Sequence, residues 1–329
     1  VIKEVFAPHL NRNVKFGRRH PVAFGPHLKL KNYLKAALPV APPTYDYTAK
    51  AAPILSDIMG NDRYGDCVFA CGYHLVGVET ANAGNPFHAK LAQVEADYTA
   101  TTGFNPNDPS TDNGANIQDV LNYWSSHGFA NGTKILGYLA VDATNVAEVM
   151  SCVYLFENLV LGMSLPDAWI SPFPSGNGFT WDRAGSPDQS NGHCVGAFGY
   201  GQKGVTIATW GLLGTLTYPA LAEYAVSSGS GELWVVITPD QLAKGQQKAP
   251  NGVAWANLIL DFDSIGGHVP LPAPPPPPPP LPPASGGVSL AQAEAAVKAA
   301  FAHQPIIMSN SAAVSAAMKA LEGLAGWPR

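Results

Sequence analysis

A cysteine and a histidine stand in the contexts that thiol chemistry requires. Cys67 begins an apolar run within Asn61-Asp62-Arg63-Tyr64-Gly65-Asp66-Cys67-Val68-Phe69-Ala70-Cys71. About 125 residues later His193 sits in the small-residue stretch Gly192-His193-Cys194-Val195-Gly196-Ala197-Phe198-Gly199-Tyr200-Gly201. A free thiol, with a pKa of about 8.5, becomes a good nucleophile when a helix N-terminus and a neighbouring imidazolium stabilise the thiolate. The sequence provides for both. Gly65 lets the chain turn, Asp66 is placed to cap a helix, and Val68, Phe69, Cys71, Gly72, Leu75, Val76 and Val78 are apolar enough for a helix in a domain centre. That helix should end near Ala83-Gly84-Asn85-Pro86.

These segments resemble the papain-like cysteine peptidases. In that family a glutamine that donates to the oxyanion lies six positions before the cysteine; here the residue six positions before Cys67 is Asn61, with the same amide donor on a side chain one methylene shorter. The second segment is similar to the family's histidine strand and ends in Gly199-Tyr200-Gly201. Where the family carries Asn-Ser-Trp-Gly, this chain has Ala208-Thr209-Trp210-Gly211, so the asparagine that orients the histidine is replaced. Without it the imidazole is held by Thr209, by a backbone carbonyl or by a residue elsewhere, or it is unheld and the protein inert. The segment Thr111-Asp112-Asn113-Gly114-Ala115-Asn116 and the helix-like residues 117–124 are similar to the glycine-bearing wall of the family's substrate cleft.

The resemblance implies an α+β, papain-like two-lobed fold over about residues 50 to 240. A helical lobe with the Cys-bearing helix faces an antiparallel sheet lobe. It further implies that Cys67, His193 and Asn61 are the catalytic residues and that Asn113, Gly114 and Trp210 contact substrate. Residues 146–150 read as a helix and 159–165 as a strand. Residues 215–218 and 232–237 read as closing strands, with a short helix over 220–226 between them. The aperiodic stretch 166–192 reads as a loop bordering the cleft, and offers Asp167 as an orienting partner for His193.

Four segments follow from composition: a basic N-terminal arm over 1–49, a papain-like domain over 50–268, a proline-rich linker over 269–287 and a C-terminal helical hairpin over 288–329. Residues 270–283, with seven consecutive prolines from Pro274 to Pro280, favour polyproline II, a spacer of roughly 40 Å at about 3.1 Å per residue. Ser289 and Ser311 are placed to cap two short alanine-rich helices, which bury too little to be stable alone and so should dock on the body, a second copy or a partner.

The chain has 329 residues, 46% hydrophobic and 13% charged, enough to bury a sizeable core and too little charged for a disordered body. Residues 1–35 carry eight basic side chains against Glu4 alone, +7, and the rest carries 11 basic and 23 acidic, −12. The arm is read as wrapping its own acidic body rather than nucleic acid, because the interleaved aromatics that stack on bases are missing. Four cysteines are too few for a disulfide scaffold, although a Cys71–Cys152 bridge stays open. A zinc site from Cys67, Cys71, His193 and Cys194 lacks the usual spacing, so neither metal nor cofactor is expected. The sequence has neither a transmembrane run nor a signal segment in this numbering, so a soluble chain of undetermined compartment is expected.

Two functions stand. One is a thiol-dependent hydrolase, a peptidase or amidase, using the Cys67–His193 pair with Asn61 as oxyanion donor. The other is a catalytically weak or inactive structural or binding protein that keeps the fold and assembles through the arm and the hairpin.

Overall fold

The computed structural model describes residues 2–21, 28–32 and 41–239. The expected proline-rich linker and helical hairpin lie outside the described residues. The elements run β1 (Glu4–Ala7), β2 (Arg12–Lys15), β3 (Tyr45–Asp46), α1 (Ala52–Leu55), α2 (Cys67–Asn82), α3 (Leu91–Thr102), α4 (Ile117–Ser126), β4 (Gly137–Ala140), α5 (Val146–Phe156), β5 (Leu159–Ser164), β6 (Phe179–Trp181), β7 (Gly192–Tyr200), β8 (Gly204–Thr209), β9 (Leu212–Thr217), α6 (Tyr218–Tyr224) and β10 (Glu232–Ile237).

α2 is the centre of one lobe. Its apolar residues surround the axis instead of forming a stripe, which is the pattern of a helix enclosed on all sides. Accordingly 14 of its 16 residues are buried. Phe69, Tyr73 and Leu75 are each at most 2% exposed, and burial of side chains of this size stabilises by about 1.5–3 kcal/mol apiece. The helix ends where the sequence predicts: Gly84 takes a φ of +88° and the Asn85 N–H returns to the Thr80 carbonyl at 2.9 Å.

The other lobe is the sheet, ordered β4-β10-β5-β7-β8-β9-β6, with β3 pairing β7. Its ladders are antiparallel except β6 on β9. β7 is buried along its whole length, pairs with β5 and β8, and packs against α2. Two hydrophobic cores result, one around Phe156, Leu161, Val195 and Leu216 in the sheet lobe and one around Phe69, Tyr73 and Trp124 beneath α2. This is the expected α+β two-lobed arrangement.

Several local expectations change. Asp66 occupies the N-cap position of α2, but its carboxylate makes no capping bond. The loop over 166–192 contains β6, and α3 joins the helical lobe on a surface too mixed to announce itself, with only Val94, Asp97 and Tyr98 buried. All four cysteines are free, so Cys71 and Cys152 are not bridged. The described part of the arm packs on the body: β1 and β2 form a hairpin, Arg12 pairs with Asp62, and Lys3 reaches Asp167 at 3.4 Å and Asp188 at 3.5 Å. No helix of the described residues is long and apolar enough to cross a membrane.

Candidate active site

Where the N-terminus of α2 meets β7, a cavity of about 20 Å³, room for one water-sized molecule, is bordered by Cys67, His193, Asn61, Thr209 and Trp210. Cys67 is the first residue of α2 and is 2% exposed. Burial pushes its thiol up to about 12, against the backbone N–H groups of Cys194 and Gly17, which favour the thiolate. His193, also 2% exposed, is pushed down to about 3 by burial. In this state the pair is therefore a neutral thiol beside a neutral imidazole.

The imidazole is held on three sides. Trp210 stacks on its face with centroids 4.0 Å apart at 15°, and Phe16 meets it edge-on at 6.0 Å. His193 Nε2 lies 2.8 Å from Thr209 Oγ1. With Nε2–H donating to that hydroxyl, Nδ1 is left as the basic nitrogen, and it has no partner. Of the open choices for an orienting group, Thr209 is the one in contact. Asp167 is not: it accepts from Asn191 Nδ2 at 2.9 Å and faces Lys3. Asn61 is 3% exposed, and its Nδ2 donates to the Tyr64 carbonyl at 3.1 Å. The four residues weighed as a zinc set border the same cavity, yet no group of three or more His, Cys, Asp or Glu among the described residues can hold a metal ion.

The groove between the lobes is filled by the protein's own arm. From the last residue of β2, residues 15–20 run across the site. Lys15 N–H donates to Asn61 O (2.8 Å), Arg18 N–H to Gly192 O (3.0 Å) and Arg19 N–H to Ala115 O (2.8 Å), while Ala115 N–H donates back to Gly17 O (2.7 Å). Arg18 and Ala115 thus form a parallel bridge. The approach is close enough to require glycine at Gly17, where a Cβ would lie 2.0 Å from the Gly65 carbonyl oxygen, and at Gly114, where it would lie 2.1 Å from the Gly17 oxygen. The wall itself is braced by Asp112, which accepts from Tyr98 Oη (2.6 Å), Gly65 N–H (3.0 Å) and Lys15 Nζ (3.0 Å).

Of the six site residues expected, Cys67, His193, Asn61 and Trp210 border one cavity. Asn113 and Gly114 lie along the strap, Asn113 through its carbonyl to Arg19 Nε at 2.9 Å. Sequence reasoning missed Ala115 and Gly192, which act through main-chain groups and have no side-chain signature. It also missed the strap residues Phe16, Gly17 and Arg18, and Glu232. The pattern Phe16-Gly17-Arg18-Arg19, a glycine between bulky residues, was the available signal.

The chain superposes on xylellain, a cysteine protease from Xylella fastidiosa, with a TM-score of 0.53 and 16% identity, over 72% of this chain and 98% of that one. Digestive procathepsin L 3 of the Tenebrio molitor larval midgut is more distant, at a TM-score of 0.45 and 13% identity over 64% of this chain and 76% of that one. No family model matches the sequence, and no curated protein matches it. The likeness to xylellain gives the fold, which is papain-like.

Proposed function

We propose that the protein is a thiol-dependent hydrolase of peptides or amides, latent while residues 15–20 occupy its cleft. One observation carries this: a peptide segment, hydrogen-bonded through its main chain on both walls, brings the Gly17 N–H to the helix-terminal Cys67, and Cys67 borders one cavity with a histidine that Thr209 orients. With the strap displaced and water admitted, burial no longer holds the thiol and imidazole neutral, and the proton can pass from Cys67 to His193. The thiolate attacks the carbonyl carbon and forms the tetrahedral adduct. Its oxyanion lies by the Cys67 N–H and the Asn61 amide, and the imidazolium then returns the proton to the leaving amine. Water, activated by the same imidazole, completes hydrolysis of the thioester. Thr209 keeps the ring in the tautomer that this cycle needs.

The sealed site and Ala208 favour a second reading, a papain-like binding protein without turnover. Hydrolysis of peptidyl amides by the full chain, compared with Cys67→Ala and Gly17→Ala, separates the two. Turnover that rises with Gly17→Ala and vanishes with Cys67→Ala supports the hydrolase. No turnover from either opened or parent chain supports the binder.

A further inference from the structure

The strap fills the cleft, and one of its enclosed side chains is the least expected one. Arg18 is an arginine whose side chain is 0% exposed, inserted between β5, α4 and β10. Its Nη2 and Nε reach Glu232 Oε1 at 2.8 and 3.2 Å, and its Nη1 donates to the Ser230 carbonyl at 2.8 Å. The room for it is made at Gly162, where a Cβ would come within 2.5 Å of Arg18 Nε and 2.9 Å of Glu232 Cγ. Glu232 is held ready from the other side, because its Oε2 accepts from Trp234 Nε1 at 2.9 Å, which turns Oε1 toward the pocket. Glu232 and the buried Gln118, whose Oε1 has no partner, also border a depression of about 410 Å³ that opens the region to solvent.

We propose that this pocket selects the substrate, and that Glu232 makes the selection in favour of peptides carrying a guanidinium side chain. The proposal rests on the peptide-binding part of the proposed function. The position is set by the strap's own register: Gly17 lies over the Cys67 sulfur, so the pocket receives the side chain one residue away from the reacting group. When the strap leaves, a carboxylate at the end of a slot floored by glycine is left without its cation. An arginine restores three charge-assisted hydrogen bonds there, whereas an aliphatic side chain leaves the carboxylate unpaired. Arg19 does not compete for this role, since its guanidinium meets only the Asn113 carbonyl at the exposed edge.

The test uses the full chain carrying Gly17→Ala, and fluorescent peptides copying residues 14–20 with arginine or its uncharged isostere citrulline at either arginine position. Anisotropy should show binding about a hundredfold weaker with citrulline in place of Arg18 and little changed with citrulline in place of Arg19. Glu232→Gln should level the first difference and Glu232→Asp should keep part of it. Because the comparison of peptides needs no change at Glu232, poor folding of either variant does not blunt it. Equal binding of the arginine and citrulline peptides, or binding of neither, overturns the proposal. Peptidyl amides with arginine, citrulline or leucine at each of the three positions before the scissile bond supply the kinetic arm. Turnover indifferent to arginine sinks the pocket and leaves the hydrolase standing; absent turnover with the binding preference intact sinks the hydrolase and leaves the pocket.

Discussion

Replacing Gly17 by alanine adds one methyl group where the main chain of Gly65 already stands, with the new carbon 2.0 Å from its oxygen and 2.2 Å from its carbonyl carbon. Neither backbone can yield by that much, so the strap must lift over Cys67. The consequence is electrostatic. Burial holds the thiol at about 12 in the closed form, and hydration returns it toward about 8.5. At about pH 7.5 the thiolate fraction then rises by about three orders of magnitude, and the alkylation rate rises at least as much because access also improves. The assay is iodoacetamide capture followed by peptide mass spectrometry, with Cys152, 0% exposed, as the internal gauge of unfolding. Fast labelling of Cys67 with Cys152 still protected is the expected result. Cys67 that reacts no faster in Gly17→Ala than in the parent chain would refute the account of the strap. Labelling of both cysteines would mean unfolding rather than opening.

Acid should loosen the strap. His193 is depressed to about 3 when covered and returns to about 6.5 when exposed. The closed form therefore binds protons more weakly, and its advantage is intact above about pH 6.5 and is lost progressively below it, by about 2 kcal/mol at pH 5. Cys67, raised when covered, acts oppositely and weakens closure above about pH 8.5. Hydrogen exchange at the Arg18 and Arg19 amides should thus be slowest, after correction for intrinsic rates, between these limits; a flat profile contradicts it. Thr209→Val should lower kcat by about tenfold to a hundredfold with Thr209→Ser retaining most of it, since only the hydroxyl faces Nε2; equal activity of both variants would remove Thr209 from the mechanism. Asn61→Ala should reduce kcat by about a hundredfold at unchanged KM if its amide serves the oxyanion, and a change confined to KM would assign it to binding. Gly162→Val should clash with Arg18 and Glu232 and cost about 1–3 kcal/mol, visible as a lower Tm in thermal denaturation; an unchanged Tm would mean the slot is roomier than described.

Much of the architecture was legible because it is written in periodicity. α2 announces itself by an unbroken apolar run with a turn at each end, and β7 by small residues flanking His193. The open place in the sequence was the imidazole's partner, since Ala208 stands where the family carries asparagine, and only the packing of β8 against β7 brings the neighbouring Thr209 hydroxyl to the ring. The arm was legible as charge and not as shape. Its +7 excess predicts attraction to an acidic body, but which pairs form depends on partners as far apart as Arg18 and Glu232, 214 residues distant. Ala115 and Gly192 stayed hidden because a carbonyl or an amide is present at every position and becomes informative only when geometry brings two of them together. Asp66 misled for a related reason: an acid before a helix suggests a cap, but its buried side chain makes no capping bond, and burial raises its pKa well above the usual carboxylate range.

The β1–β2 hairpin lies upstream of the strap and the Lys29 bridge to Ala140 and β3 lie downstream, so the segment over the sulfur is anchored at both ends. A plug fastened twice to the vessel it stops cannot diffuse away and its re-entry is unimolecular, so dilution does nothing to uncork it. A single nick between the two moorings would turn that loop into a pair of loose ends, each returning far less often than the intact loop. Protein concentration should therefore leave the resting state untouched, while one proteolytic cut in the arm changes it for good.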